Sequence, residues 1–98
     1  MTKVFDCDLF CTEDFVFDGI VRITGNFYAS ANVRVDALDV GGDIYLISPD
    51  PDDPICIDAI HVECNGNFYS YNVEQAICSL CVHDNFFIEF YGPVKFEA

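Results

Sequence analysis

Apolar and polar residues alternate along most of this chain, and the alternation breaks at near-regular intervals on pairs of small or acidic residues. One nine-residue pattern is written five times: LFCTEDFVF from Leu9, VRITGNFYA from Val21, LDVGGDIYL from Leu38, VECNGNFYS from Val62 and LCVHDNFFI from Leu80. Its first and third positions are apolar, as a strand with one buried face requires. A turn pair follows: Glu13-Asp14, Gly25-Asn26, Gly42-Asp43, Gly66-Asn67 or Asp84-Asn85. Gly, Asn and Asp tolerate left-handed backbone, which is the expected reason for their use at these corners. The chain then returns to strand. Phe15, Phe27, Ile44, Phe68 and Phe86 are expected to face inward, and Val16, Tyr28, Tyr45, Tyr69 and Phe87 outward.

A second element follows most copies: VRVDA from Val33, ICIDA from Ile55, the shorter VEQA from Val73 and VKFEA from Val94. Three short strands per repeat, separated by corners, describe one rung of a β-helix whose rungs stack in parallel around a dry interior. The expected fold is therefore all-β: a short parallel β-helix of about four rungs. A small antiparallel β-sandwich of hairpins closed by Gly-Asn and Gly-Asp turns is the alternative that the same signals permit. Residues 1–98 read as a single domain, with 1–20 as an N-terminal cap and 21–98 as stacked repeats. SPDPDDP, residues 48–54, is a loop insertion, because its prolines and aspartates forbid strand pairing. FYGP, from Phe90, is a smaller elaboration.

The string GNFYASANVRVDALDVGGDIYL resembles the rungs of bactofilins, polymer-forming cytoskeletal proteins with a triangular β-helix. That resemblance implies the fold and, as one functional reading, a structural, self-assembling module. It covers most of residues 20–98 and rests on repeat grammar. Bactofilins stack end to end, and the charge of this chain departs from what such packing needs.

There are 17 acidic residues against 4 basic ones, for a net charge of -13 and a pI near 4.1. A chain so charged is repelled by nucleic acid and by anionic membranes and attracted to basic protein surfaces. Hydrophobic residues make up 52% of it, which excludes a disordered acidic tail. No secretory leader is legible at the start, and no apolar run approaches the length of a membrane helix. Cys11, Cys64 and Cys7 fall on apolar slots of the pattern, where free cysteine acts as a small hydrophobe. Reduced thiols and a cytoplasmic location are the expectation.

Candidate chemistry is sparse. CSLC, from Cys78 to Cys81, has the spacing of a zinc or redox pair that Cys7 and Cys11 would complete. Cys81 is expected to point outward and Cys78 to fall beside the motif, so the two need not converge. The aspartates of the insertion suggest calcium, without the central Gly and distal Glu of a helix-loop-helix site. His61 and His83 lie on outward positions of different units. No nucleophile elbow, phosphate loop or zinc-protease motif is present. The expectation is no enzyme, no cofactor and no metal.

Two features remain. Asp36, Asp58 and Glu97 recur at one outward position of the second element, and Tyr28, Tyr45 and Tyr69 form an outward column. Stacked, they give a carboxylate ladder and an aromatic stripe. Together with Asp50, Asp52 and Asp53 of the insertion, these residues are the expected partner-binding set. In physical type the chain is similar to phage-encoded nucleic-acid mimics, the anti-CRISPR and anti-restriction inhibitors. This likeness implies an acidic inhibitor of a basic nucleic-acid-binding protein. The charge opposes binding to nucleic acid or membrane, and the strand edges at the ends of a β-helix, capped or paired, lead to the expectation of a monomer or homodimer.

Overall fold

A computed structural model describes residues 1–50 and 52–89. It contains ten strands: β1 (Thr2–Phe5), β2 (Leu9–Cys11), β3 (Phe15–Ile23), β4 (Phe27–Ala29), β5 (Val33–Val40), β6 (Ile44–Ile47), β7 (Ile55–Cys64), β8 (Phe68–Tyr71), β9 (Val73–Val82) and β10 (Phe86–Glu89). The odd strands form one parallel sheet in the order β1-β3-β5-β7-β9, and the even strands a second in the order β2-β4-β6-β8-β10. Each odd–even pair is one turn, so the described residues form a parallel β-solenoid of five turns, one more than the spacing suggests.

The long odd strands each serve two faces. In β5, Val33 and Val35 are buried, then Leu38 and Val40, so the inward phase slips by one between them. The two segments expected as separate strands are thus one bent strand, and in β3 the bend is a register shift between Phe17 and Ile20. Gly19 sits in that bend at φ +142°, where a side chain would also meet the Met1 carbonyl.

Inward residues stack in columns. Val21, Leu38, Val62 and Leu80 are successive register partners, as are Phe27, Ile44, Phe68 and Phe86. The second column is the buried stack that the pattern implies, with Phe68 wholly buried, but its last member Phe86 is 42% exposed.

Three registers differ from the sequence reading. First, Leu9 lies beside Phe27 and Phe15 beside Val33, so the first turn is KVFDCDLFC, with Lys3 beside Val21. Residues 1–20 thus stand at one end of both sheets as a turn of the same kind, continuing into the next. The signal was missed because the corner Asp6-Cys7-Asp8 has no glycine, and no earlier turn lies against it to demand one. Cys7 accordingly occupies an exposed corner and no apolar slot. Second, the aromatic column begins at Phe10, and Val16 pairs with Arg34.

Third, Val33 pairs with Ile57, not with Ile55, which places Asp58 beside Arg34. A two-residue slip keeps every inward residue inward, so alternation alone does not reveal it. The carboxylate ladder expected from Asp36 and Asp58 is therefore absent. Its third member, Glu97, and the FYGP segment lie outside the described residues.

The corners carry their own ladder. The backbone N–H of Asn26 donates to Asp8 Oδ1 (2.7 Å), that of Asp43 to Asn26 Oδ1 (2.8 Å), that of Asn67 to Asp43 Oδ1 (2.7 Å) and that of Asn85 to Asn67 Oδ1 (3.1 Å). Each turn thus satisfies a corner donor with the preceding turn's Asn or Asp. Gly25, Gly42 and Gly66 precede the acceptors and do not adopt positive φ. A Cβ on any of them would collide with the Oδ1 of the preceding turn. The glycines are there for space, and conformational freedom is not the reason.

Candidate functional site

Three outward surfaces carry chemistry, one on each face. On the even-strand face, Phe10, Tyr28, Tyr45, Tyr69 and Phe87 form a continuous ring stack. Centroids are 4.6, 4.8, 4.8 and 5.0 Å apart, with planes within 6° of parallel. Parallel in-register strands impose that spacing, since neighbouring strands lie about 4.8 Å apart. Phe10 and Phe87 are half or more exposed, and the tyrosines are half-buried by one another. Tyr45 donates its hydroxyl to Asp43 Oδ2 at 3.0 Å. That hydrogen bond, with desolvation and the Asp43 charge behind it, pushes the phenol up to about 12.

On the first face of the odd sheet, Asp18, Asp36 and Asp58 line one shallow depression together with Phe17, Arg34 and Ile60. Arg34 Nε lies 4.0 Å from Asp58 Oδ2. Asp58 is therefore set against a guanidinium, and the expected stacking of Asp58 on Asp36 does not occur. Nearby, the insertion is folded on itself. The buried Ser48 hydroxyl lies 2.8 Å from the carbonyls of both Asp50 and Asp53, and the Asp52 N–H donates to Asp50 Oδ1. Asp50 thereby caps its own turn, while Asp52 and Asp53 are exposed. Among the described residues, these three carboxylates do not converge as a metal-ligand set.

The second face of the odd sheet brings together residues that sequence reasoning had scattered. Glu63 and Cys81 are register partners on β7 and β9, as are His61 and Ser79, and His83 follows in the corner after β9. Glu63 Oε2 lies 3.7 Å from His83 Nε2, Glu63 Oε1 lies 3.8 Å from His61 Nε2, and Cys81 Sγ lies 3.8 Å from His83 Nε2. His61 Nδ1 is 3.1 Å from the Ser79 hydroxyl. The signal was available: VECN written over LCVH puts Glu63 on Cys81.

The remaining thiols split by burial. Burial raises the pKa of Cys11 and Cys64, and burial followed by the acids Glu74 and Asp58 raises that of Cys56. Cys7 and Cys11 belong to the first turn and Cys78 and Cys81 to the fifth, so a four-thiolate site is ruled out by about 19 Å of stacked strands. No family model matches this chain, and no curated protein or solved structure matches it either.

Proposed function

We propose that this chain is an acidic binding protein that occupies the basic, nucleic-acid-binding surface of a partner protein. The observation that carries this reading is the state of its cations. Arg22 Nε lies 3.6 Å from Asp39 and Arg34 pairs with Asp58, while the Lys3 ammonium lies over the rings of Phe5 and Phe17 at 5.5 and 5.8 Å. Each described Lys and Arg side chain is thus engaged within the chain, against a net charge of -13. An approaching lysine- or arginine-rich groove meets carboxylates with little competing positive charge.

Asp18, Asp36, Asp52 and Asp53 would supply counter-charge. Tyr28, Tyr45 and Tyr69, flanked by Phe10 and Phe87, would supply apolar anchoring that salt does not screen. The functional type would be that of phage-encoded anti-CRISPR or anti-restriction inhibitors. A second reading, a self-assembling module of bactofilin-like type, draws on the open edge of β1.

The test is capture of a partner from a lysate followed by competition. The captured protein should be basic, and duplex DNA or RNA should displace it. Asp18→Asn with Asp36→Asn should weaken the complex several-fold and flatten its salt dependence while leaving folding intact, because neither carboxylate makes an ion pair among the described residues. A partner whose nucleic-acid binding is indifferent to saturating amounts of this protein would sink the proposal.

A further inference from the structure

We propose that Glu63, Cys81 and His83 bind a divalent transition-metal ion of zinc type, with His61 as the adjacent fourth donor. This inference stands independently of the acidic-mimic reading.

The donors converge because the fold stacks them. One oxygen of Glu63, the sulfur of Cys81 and one ring nitrogen of His83 all lie within 4.8 Å of one another. Around a tetrahedral ion with bonds of about 2.1 Å to nitrogen or oxygen and about 2.3 Å to sulfur, neighbouring donors stand about 3.4–3.6 Å apart. The Glu63–His83 and Cys81–His83 separations of 3.7 and 3.8 Å need closing by a few tenths of an ångström, and the Glu63–Cys81 pair lies within 4.8 Å. The same distances are too long for N–H···O hydrogen bonds between Glu63 and either imidazole. The carboxylate thus faces two imidazoles without hydrogen-bonding either, an arrangement that a shared cation would complete.

Donor chemistry selects the ion. A thiolate, an imidazole and a carboxylate suit zinc and its neighbours, whereas calcium and magnesium take oxygen alone. Thiolate and carboxylate together neutralise a dication, and the acidic chain around them favours cation entry. His61 stands beside this group of three, next to the other oxygen of Glu63, and a side-chain movement would bring it to the fourth position. Its Nδ1 rests against the Ser79 hydroxyl, and its Nε2 faces Glu63. A hydroxyl on the far nitrogen is the kind of outer-shell partner that fixes a ligating imidazole. All four side chains are partly or fully exposed, so the ion has an open entry path. Once bound, it would tie β9 to β7 at the last described turn.

The test is a Co²⁺ titration of chelator-treated, untagged protein, followed by displacement with Zn²⁺. One equivalent of Co²⁺ should bind, giving a thiolate-to-cobalt charge-transfer band and the visible bands of tetrahedral cobalt, both abolished by Zn²⁺. Cys81→Ser should remove the charge-transfer band. His83→Ala and Glu63→Gln should each weaken binding more than about tenfold. Cys78→Ser should change nothing. Circular dichroism checks that the variants stay folded, which the exposure of these side chains favours. Absence of the band in the native protein, or its survival at full intensity in Cys81→Ser, overturns the assignment. So does an unchanged affinity in both His83→Ala and Glu63→Gln.

Discussion

Gly42 shows how little room a corner of this fold leaves. Its missing Cβ would strike the Oδ1 of Asn26, the atom that accepts the Asp43 N–H. Gly42→Ala should therefore destabilise the chain by about 1–3 kcal/mol, through displaced backbone and a weakened corner hydrogen bond. Urea unfolding measures this. The last corner supports the argument: Asp84 stands there in the glycine position, and its ladder hydrogen bond is the longest of the four, 3.1 Å. Tyr45 offers a second test. Its phenol is raised to about 12 mainly by the hydrogen bond to Asp43, so between the ordinary value of 10 and about 12 the folded chain holds a proton that the unfolded chain releases. The stabilising contribution is fully present below pH 10 and is lost as pH climbs through 12. Ultraviolet titration should resolve one tyrosine ionising late. Asp43→Asn, which keeps the corner acceptor as Asn26 and Asn67 do, should return that tyrosine toward its ordinary value.

Between neighbouring elements, the interior is apolar among the described residues except at Ser48, Ser70, Asn72 and Gln75. Gln75 is 1% exposed in the column of Val33 and Ile57, and its Nε2 donates to the buried Ser70 hydroxyl at 2.8 Å. Its Oε1 has no partner among the described residues. A buried unsatisfied acceptor costs about 1–3 kcal/mol, so Ser70→Ala with Gln75→Leu should raise stability by a similar amount. Ser70→Ala alone should lower it, because it strips Gln75 of its remaining bond. Ala29 shares the column of Ser70, so the alanine fits. Thermal or urea denaturation of both variants decides it. These columns also explain what was legible in the sequence. Apolar alternation and the Gly-Asn corners fixed which residues point inward and which copies stack, from Val21 onward. The same period-2 pattern was blind to the slip that sets Val33 against Ile57, and hence to the Arg34–Asp58 pair. The Glu63, Cys81 and His83 cluster was hidden for another reason: it is assembled from two copies, and no single copy contains it.

At the scale of the whole chain, the question is what keeps a stack of parallel strands from growing. The β1 edge is a template for a further turn, since among the described residues its outer backbone groups face no neighbouring strand. Two devices oppose growth there. Register places Lys3 in the inward column of Val21, so a second molecule stacked on β1 would have to bury an ammonium. The net charge of -13 adds long-range repulsion between copies. These devices act over different ranges and can be separated. Salt at about 0.15 M screens beyond about 8 Å, which removes much of the repulsion but leaves the desolvation of Lys3 in place. The native chain should therefore stay no larger than a dimer as salt rises, whereas Lys3→Val, which restores the apolar column, should associate further only when salt is added. Light scattering across a salt series reads both outcomes. Salt-driven polymerisation of the native chain would mean that the β1 edge is built to stack, and would favour the self-assembling reading over the acidic inhibitor.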